Sequence, residues 1–314
     1  MTSSRILILG TRGTVGSAIA EAARDRVVRA ARQPAESDTI AFDALTDDVG
    51  ALIGQMRPII PKAAIIAFGT PGTHTCASDP IGSRHLNVDR VVSVAKGAAT
   101  AGMLPVVLSS DGVFDGSPIV WSETDVPNPI CEYGRQKLAA ERAVAALGVP
   151  YLIVRLSRVI ADFAQHRDIL FQWCRRMERG ETILLATDQM FTPIAAADVG
   201  RIVVALVDAG VRGLIHVAGP EQISSPSLFE RLRQACVDRA LHFHYSTEFC
   251  RVVDLPGADA RPPCTMLSIS RLQDSISPRF TTIDECVTGV ADAAFFQRTA
   301  ESVLGLGSSV PKSQ

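Results

Sequence analysis

No excess of either charge marks this chain of 314 residues, and no basic run interrupts it. Lys and Arg number 31 against 33 Asp and Glu, a formal net charge of −2. That balance argues against nucleic acid as the main partner. The seven cysteines are odd in number and scattered, without a Cys-x-x-Cys. Neither a disulfide framework nor a cysteine zinc site is indicated, and a reducing cytoplasm fits. His242 and His244 alternate on a possible strand, but no further ligand cluster accompanies them, so no metal is expected. No apolar stretch is long enough to span a bilayer. The start, MTSSRILILGTRG, lacks the apolar core and small-residue cleavage site of a signal peptide.

What is present is apolar substance, 47% of residues, enough for a sizeable core. Short apolar runs alternate with helical patterns through the first half. Strands are expected at Arg5–Leu9, Val27–Ala31, Thr39–Phe42, Ala63–Phe68, Pro105–Ser110 and Pro150–Leu156, with a long helix over 80–101 and another over 131–147. Continuously apolar strands separated by helices indicate a parallel sheet covered on both faces. The fold class is α/β, a doubly wound Rossmann-type sheet. After Ser157 the rhythm becomes irregular. The expected division is 1–157 with 188–219 as a dinucleotide-binding domain, 158–187 with 220–304 as a smaller α+β substrate-binding region, and 305–314 as a flexible tail.

The first strand runs into GTRGTVG, with Gly10, Gly13 and Gly16. In such a loop the first glycine permits the turn, the second lets a pyrophosphate approach the backbone, and the third allows close helix–strand packing. The helix N-terminus at Thr14 and Val15 offers N–H groups and a favourable dipole to phosphate. Phe68 and Gly69, ending the fourth strand, are expected to flank the cofactor. The second strand ends in VVRAARQP with no acidic residue to hold a ribose 2′-OH. Arg32 stands there and Arg12 lies in the loop, which suits a 2′-phosphate: NADPH is preferred, NAD remains open. Asp43 either meets the adenine amino group or is an exposed polar residue.

The fifth strand ends in LSSDGVFDG, placing Ser110 at the carboxyl edge of a central strand, where open α/β sheets hold ligands. CEYGRQKLAAER follows, with Tyr133, one of three tyrosines, and Lys137 four residues on, sharing a helix face. A free phenol titrates near pH ~10. A nearby ammonium favours the phenolate and is expected to lower that pKa. Tyr133 would then donate the proton and Lys137 would tune it and hold the nicotinamide ribose. Ser110 would bond the carbonyl oxygen where charge develops.

These ordered motifs resemble the extended short-chain dehydrogenase/reductase superfamily, and within it the dTDP-4-dehydrorhamnose reductase family and its sugar-nucleotide relatives. The resemblance covers about Arg5 to Leu272. It rests on LSSDGVFDG, ETDVPNPICEYGRQKLAAE, PYLIVRLSRVI, DQMFTPIAAADVGR, GLIHVAG and RPPCTMLSISRL. It implies an NADPH-dependent reductase of a keto group on a nucleotide-linked deoxysugar or similar ketone. It also implies substrate contacts at Asp111, Val113, Phe114, Arg155, Thr192 and Arg261, and a dimer as the family's habit. For Arg155 the residues leave open substrate contact or bracing, and for Phe114 and Trp121 pocket lining or core. Sugar 4,6-dehydratases usually carry Asp-Glu after the hydroxyl residue, whereas Asp111 is followed here by Gly112. Two departures lie near the expected pocket. Gly112 replaces the family's tyrosine, and strand six continues SRVI where an aromatic residue is usual. Two other outcomes remain open. One is a non-catalytic regulatory subunit, as in methionine adenosyltransferase; the other is an NAD-dependent epimerase or dehydratase.

Overall fold

The structure, a computed structural model, describes residues 4–34, 37–161, 168–257 and 259–303. The tail expected at 305–314 lies outside them. The strands are β1 (Ile6–Leu9), β2 (Val27–Ala31), β3 (Ile40–Ala41), β4 (Ala63–Ile66), β5 (Leu104–Ser110), β6 (Leu152–Leu156), β7 (Val159–Ile160), β8 (Thr182–Ala186), β9 (Met190–Phe191), β10 (Ile194–Ala195), β11 (Gly213–Val217), β12 (Ile223–Ser224), β13 (Ser246–Cys250) and β14 (Cys264–Thr265). The helices are α1 (Thr14–Ala23), α2 (Val49–Gln55), α3 (Thr73–Ser78), α4 (Pro80–Arg84), α5 (Val91–Thr100), α6 (Glu132–Ala145), α7 (Ile169–Glu178), α8 (Ala196–Asp208), α9 (Ser225–Val237), α10 (Ser270–Ser275) and α11 (Ile283–Val303).

Seven strands make one sheet in the order β11-β6-β5-β4-β1-β2-β3, every pair parallel. The strand pleat explains the two covering layers. Ile6 and Ile8 face one hydrophobic cluster with Ala63 and Ile65, while Leu7 and Leu9 face another with Ala64 and Ile66. Successive side chains point to opposite faces, so a strand buried on both must be apolar throughout. The first cluster is closed by α1 and α8, the second by α2, α5 and α6. Gly200 lets α8 lie against α1, since a Cβ there would stand 2.3 Å from the Ala18 carbonyl oxygen. A third cluster joins α7, α9 and α11 to β8.

Sheet order reverses between β1 and β4. Their carboxyl ends, with that of β5, open the crevice where doubly wound sheets bind ligands. The helix expected over 80–101 is interrupted by a π-helical turn, His85–Arg90. That turn carries Asn87, whose buried amide accepts from Thr70 N (2.7 Å) and donates to Thr70 O (3.0 Å) and Gln136 Oε1 (2.8 Å). It ties the loop after β4 to α6. His242 and His244 lie in irregular chain ahead of β13, not on a strand, because pairing with β8 begins only at Ser246.

Candidate active site

The glycine loop packs against the sheet by backbone contact. Gly10 has φ +97°, and a Cβ there would meet Ala67 and Phe68 backbone at 2.9 Å. At Gly16 a Cβ would stand 2.2 Å from Gly10 O. Gly13 differs: the nearest protein atom to its Cβ position is Gly10 O at 3.6 Å. The space above Gly13, at the N-cap of α1, is therefore open. It belongs to a cavity of about 390 Å³ lined by Gly10, Arg12, Gly13, Arg32, Asp43, Phe68 and Gly69. Thr14 and Val15 begin α1, with the Val15 side chain packed on the core rather than on the cavity. Gly16 is buried.

The exposed Arg12 reaches across to Gln33, donating to its side chain (3.3 Å) and carbonyl (3.4 Å). Arg32 is exposed at the same rim. Asp43 faces the cavity while its carboxylate accepts from Leu45 N at 2.9 Å. An open backbone cradle at a helix N-terminus, with two cations and no acid at the end of β2, fits a phosphorylated dinucleotide.

A second cavity of about 490 Å³ holds Ser110, Asp111, Tyr133, Arg158 and Arg261. Its chemistry is assembled by one close packing. A Cβ on Gly134 would fall 1.9 Å from Gly112 O, so only glycine lets α6 rest on the turn after β5. That contact carries Tyr133 to Ser110: from an ideal Cβ on Gly112, Tyr133 Cδ1 is 3.7 Å away and Ser110 Oγ 3.5 Å. Ser110 Oγ donates to Asp111 Oδ1 (2.9 Å) and accepts from Gly112 N (3.1 Å). Lys137 Nζ donates to Leu108 O (3.0 Å) and lies 5.6 Å from the Tyr133 ring centroid. It is 3.9 Å from the Cβ position of Gly69, on the segment leading from the first cavity to the second.

The protonation pattern corrects one expectation. The Tyr133 phenol is held well above its ordinary value, not below it. Burial is the largest cause and the Asp111 charge adds to it, with the Ser110 hydroxyl acting the other way. Lys137 is not among the groups that set this shift, and burial pushes its own pKa down to about 8, which leaves it mostly an ammonium at neutral pH. Burial likewise raises the Asp111 carboxyl, opposed by Ser110. Tyr133 is thus a neutral phenol at neutral pH, a proton donor in waiting.

Four expected substrate contacts lie elsewhere. Phe114 is fully buried, stacked on Trp121 at 4.4 Å, and Val113 is buried in the same cluster. Arg155 is buried in an ion pair with Glu141, at 2.7 and 3.0 Å, and lies over the Phe114 ring. Ser109 donates to the same carboxylate. Thr192 is buried, its hydroxyl accepting from Leu267 N (3.1 Å). All four are buried in the core, and none lines the cleft. Asp111 and Arg261 do line the cleft.

Arg158, Gln189 and Thr265 also line it and were not anticipated. A signal for Arg158 was available, since it is the charged residue of SRVI, the segment where an aromatic residue is usual. Among the described residues no cluster of His, Cys, Asp and Glu could hold a metal, and no helix is long and apolar enough to cross a membrane.

Residues 4–292 match the family described as the RmlD substrate binding domain. A probable low-salt glycan biosynthesis reductase of Haloferax volcanii is 32% identical over 191 residues, 60% of this chain and 62% of that protein. The β subunit of methionine adenosyltransferase 2 from Danio rerio is 30% identical over 202 residues, 60% of this chain and 59% of that protein. The chain thus spans about three fifths of the length of each of these two relatives. In fold it is similar to dTDP-4-dehydrorhamnose reductase of Bacillus anthracis, solved with NADP. The TM-score is 0.75 and the identity 22%, covering 95% of this chain and 100% of that one. With a match that runs through the glycine loop, the Ser110 turn and the Tyr133 helix alike, this chain belongs to the RmlD substrate binding domain family.

Proposed function

We propose that the chain is an NADPH-dependent reductase of a keto group on a nucleotide-linked sugar, or on a similar ketone, resembling dTDP-4-dehydrorhamnose reductase. The observation that carries this reading is the meeting of Ser110 and Tyr133 in one cleft, with Lys137 between that cleft and the dinucleotide cradle. A nicotinamide dinucleotide held there supplies the hydride to the carbonyl carbon. Gly13 and the start of α1 would hold its pyrophosphate, Arg12 and Arg32 a 2′-phosphate, and Lys137 the nicotinamide ribose.

The remaining work falls to side chains. Ser110 turns its hydroxyl from Asp111 to the substrate oxygen and steadies the charge that gathers there. Tyr133 gives its phenolic proton to that oxygen, completing the alcohol. The phenolate left behind is stabilised by the Lys137 ammonium and regains a proton from water. The layer built on α7, α9 and α11 would bind the sugar nucleotide, and a cytoplasmic setting supplies the reduced cofactor.

Likeness to the methionine adenosyltransferase subunit supports a second, regulatory reading. The complete Ser110, Tyr133 and Lys137 set at an open cleft weighs for catalysis. Oxidation of NADPH across a panel of nucleotide keto sugars separates the two. In a reductase, Tyr133→Phe lowers kcat on the order of 10²–10⁴-fold while NADPH binding persists. Reduction by that variant at the wild-type rate would refute the assignment, and absence of turnover by the wild type on every ketone favours the regulatory role.

A further inference from the structure

Arg158 is a cleft charge to which the proposed reaction gives no role. Its side chain lines the substrate cleft, half-buried, with its guanidinium over the Phe191 ring at 5.1 Å. Its Nε is fully buried and has no hydrogen-bond partner among the described residues. No carboxylate among the described residues forms an ion pair with it. The nearby acids are engaged elsewhere. Asp168 caps α7, accepting from Leu170 N (2.7 Å) and Phe171 N (3.4 Å), and from Ala161 N (2.8 Å) with its other oxygen. Asp111 accepts from Ser110. A buried guanidinium nitrogen left without an acceptor is costly unless a ligand completes it.

Position indicates which ligand. Burial works against the Arg158 charge, and of its charged neighbours Asp111 bears on it most, ahead of Asp168 and Arg261. Asp111 adjoins Ser110, where the carbonyl oxygen is expected. Arg261, tethered to Pro256 O at 2.6 Å, lines the same cleft as a second cation. We propose that Arg158 determines specificity by taking the carboxylate of a substrate whose acidic group lies close to the reacting carbonyl, as in a nucleotide-linked keto-uronic sugar. This rests on the reductase reading of the cleft and narrows its substrate class. The planar guanidinium fork matches a carboxylate with two parallel bonds.

Equilibrium binding tests this without requiring turnover, so its failure and that of the reductase reading are separable. With NADPH bound, calorimetry would compare UDP-glucose with UDP-glucuronic acid, and the dTDP pair likewise; each pair differs only by a carboxylate at carbon six. The wild type is expected to bind the acidic member of one pair at least about tenfold more tightly, as charge-assisted hydrogen bonds allow. Arg158→Gln should lose that preference, and Arg158→Lys, which keeps charge without the fork, should recover part of it. NADPH affinity of each variant reports that the fold stands. Equal binding within both pairs by the wild type, or no binding of any of the four, overturns the proposal. So does an Arg158→Gln variant that weakens both members of a pair equally, which would assign Arg158 to the diphosphate.

Discussion

Replacing Arg155 by methionine separates a substrate contact from a structural one. Arg155 and Glu141 are 3% and 5% exposed, and their pair at 2.7 and 3.0 Å is deep in the sheet layer. Methionine fills much of the space but leaves the Glu141 carboxylate buried without its cation. Breaking a buried pair from one side costs about 3–5 kcal/mol, a large part of a total near 5–15 kcal/mol. With a urea slope of about 3 kcal/mol/M, the unfolding midpoint should fall by about 1–1.7 M. The double variant Glu141→Leu/Arg155→Met removes both charges and leaves mainly the Ser109 hydroxyl without its acceptor, a loss of about 1–3 kcal/mol. It should therefore be more stable than Arg155→Met alone, with strong coupling in the double-mutant cycle. An unchanged midpoint for Arg155→Met together with a raised KM would refute this and return Arg155 to the substrate.

The two loop glycines should fail differently. Gly16→Ala sets a Cβ 2.2 Å from Gly10 O and should lower the melting temperature. Gly13→Ala meets no protein atom nearer than 3.6 Å and should melt normally while losing NADPH affinity in a fluorescence titration. Equal melting temperatures for the two would contradict the packing described. Lys137 supplies a pH test. Burial pushes its pKa down to about 8 from an ordinary 10.5, so the unfolded chain holds more protons between those values. Stability should therefore rise with pH across that window, and Lys137→Met should abolish the rise. Parallel stability curves for the two proteins would contradict it. Arg32→Glu should cut the NADPH/NADH ratio of kcat/KM by roughly 10–100-fold, the scale of charge-assisted bonds to a 2′-phosphate; an unchanged ratio places the phosphate elsewhere.

Local pattern carried much of the fold. β1 and β4 are continuously apolar, and β5 as far as Leu108, because both faces are buried, and the glycine loop is marked by a spacing within seven residues, so both were legible in the sequence. β13 was not, since its side chains are exposed and its position follows from pairing with β8, more than sixty residues earlier in the chain. α11 was missed because it carries Val, Thr and Gly, which weaken the helical signal.

The site divides the same way. The order of Gly10, Ser110, Tyr133 and Lys137 in the sequence points to the proposed chemistry. Which side chains face the cleft was not, because that depends on how the chain leaves β6. Ser157 N donates to Val217 O and Ile194 N to Arg158 O, bonds to segments distant in sequence. They leave Arg155 sealed against Glu141 and turn Arg158, three residues on, into the pocket. The state of Tyr133 followed suit. From the sequence a lysine four residues away favours the phenolate. In the fold burial and Asp111 outweigh it, because desolvation depends on everything packed around a group and not on its neighbours along the chain.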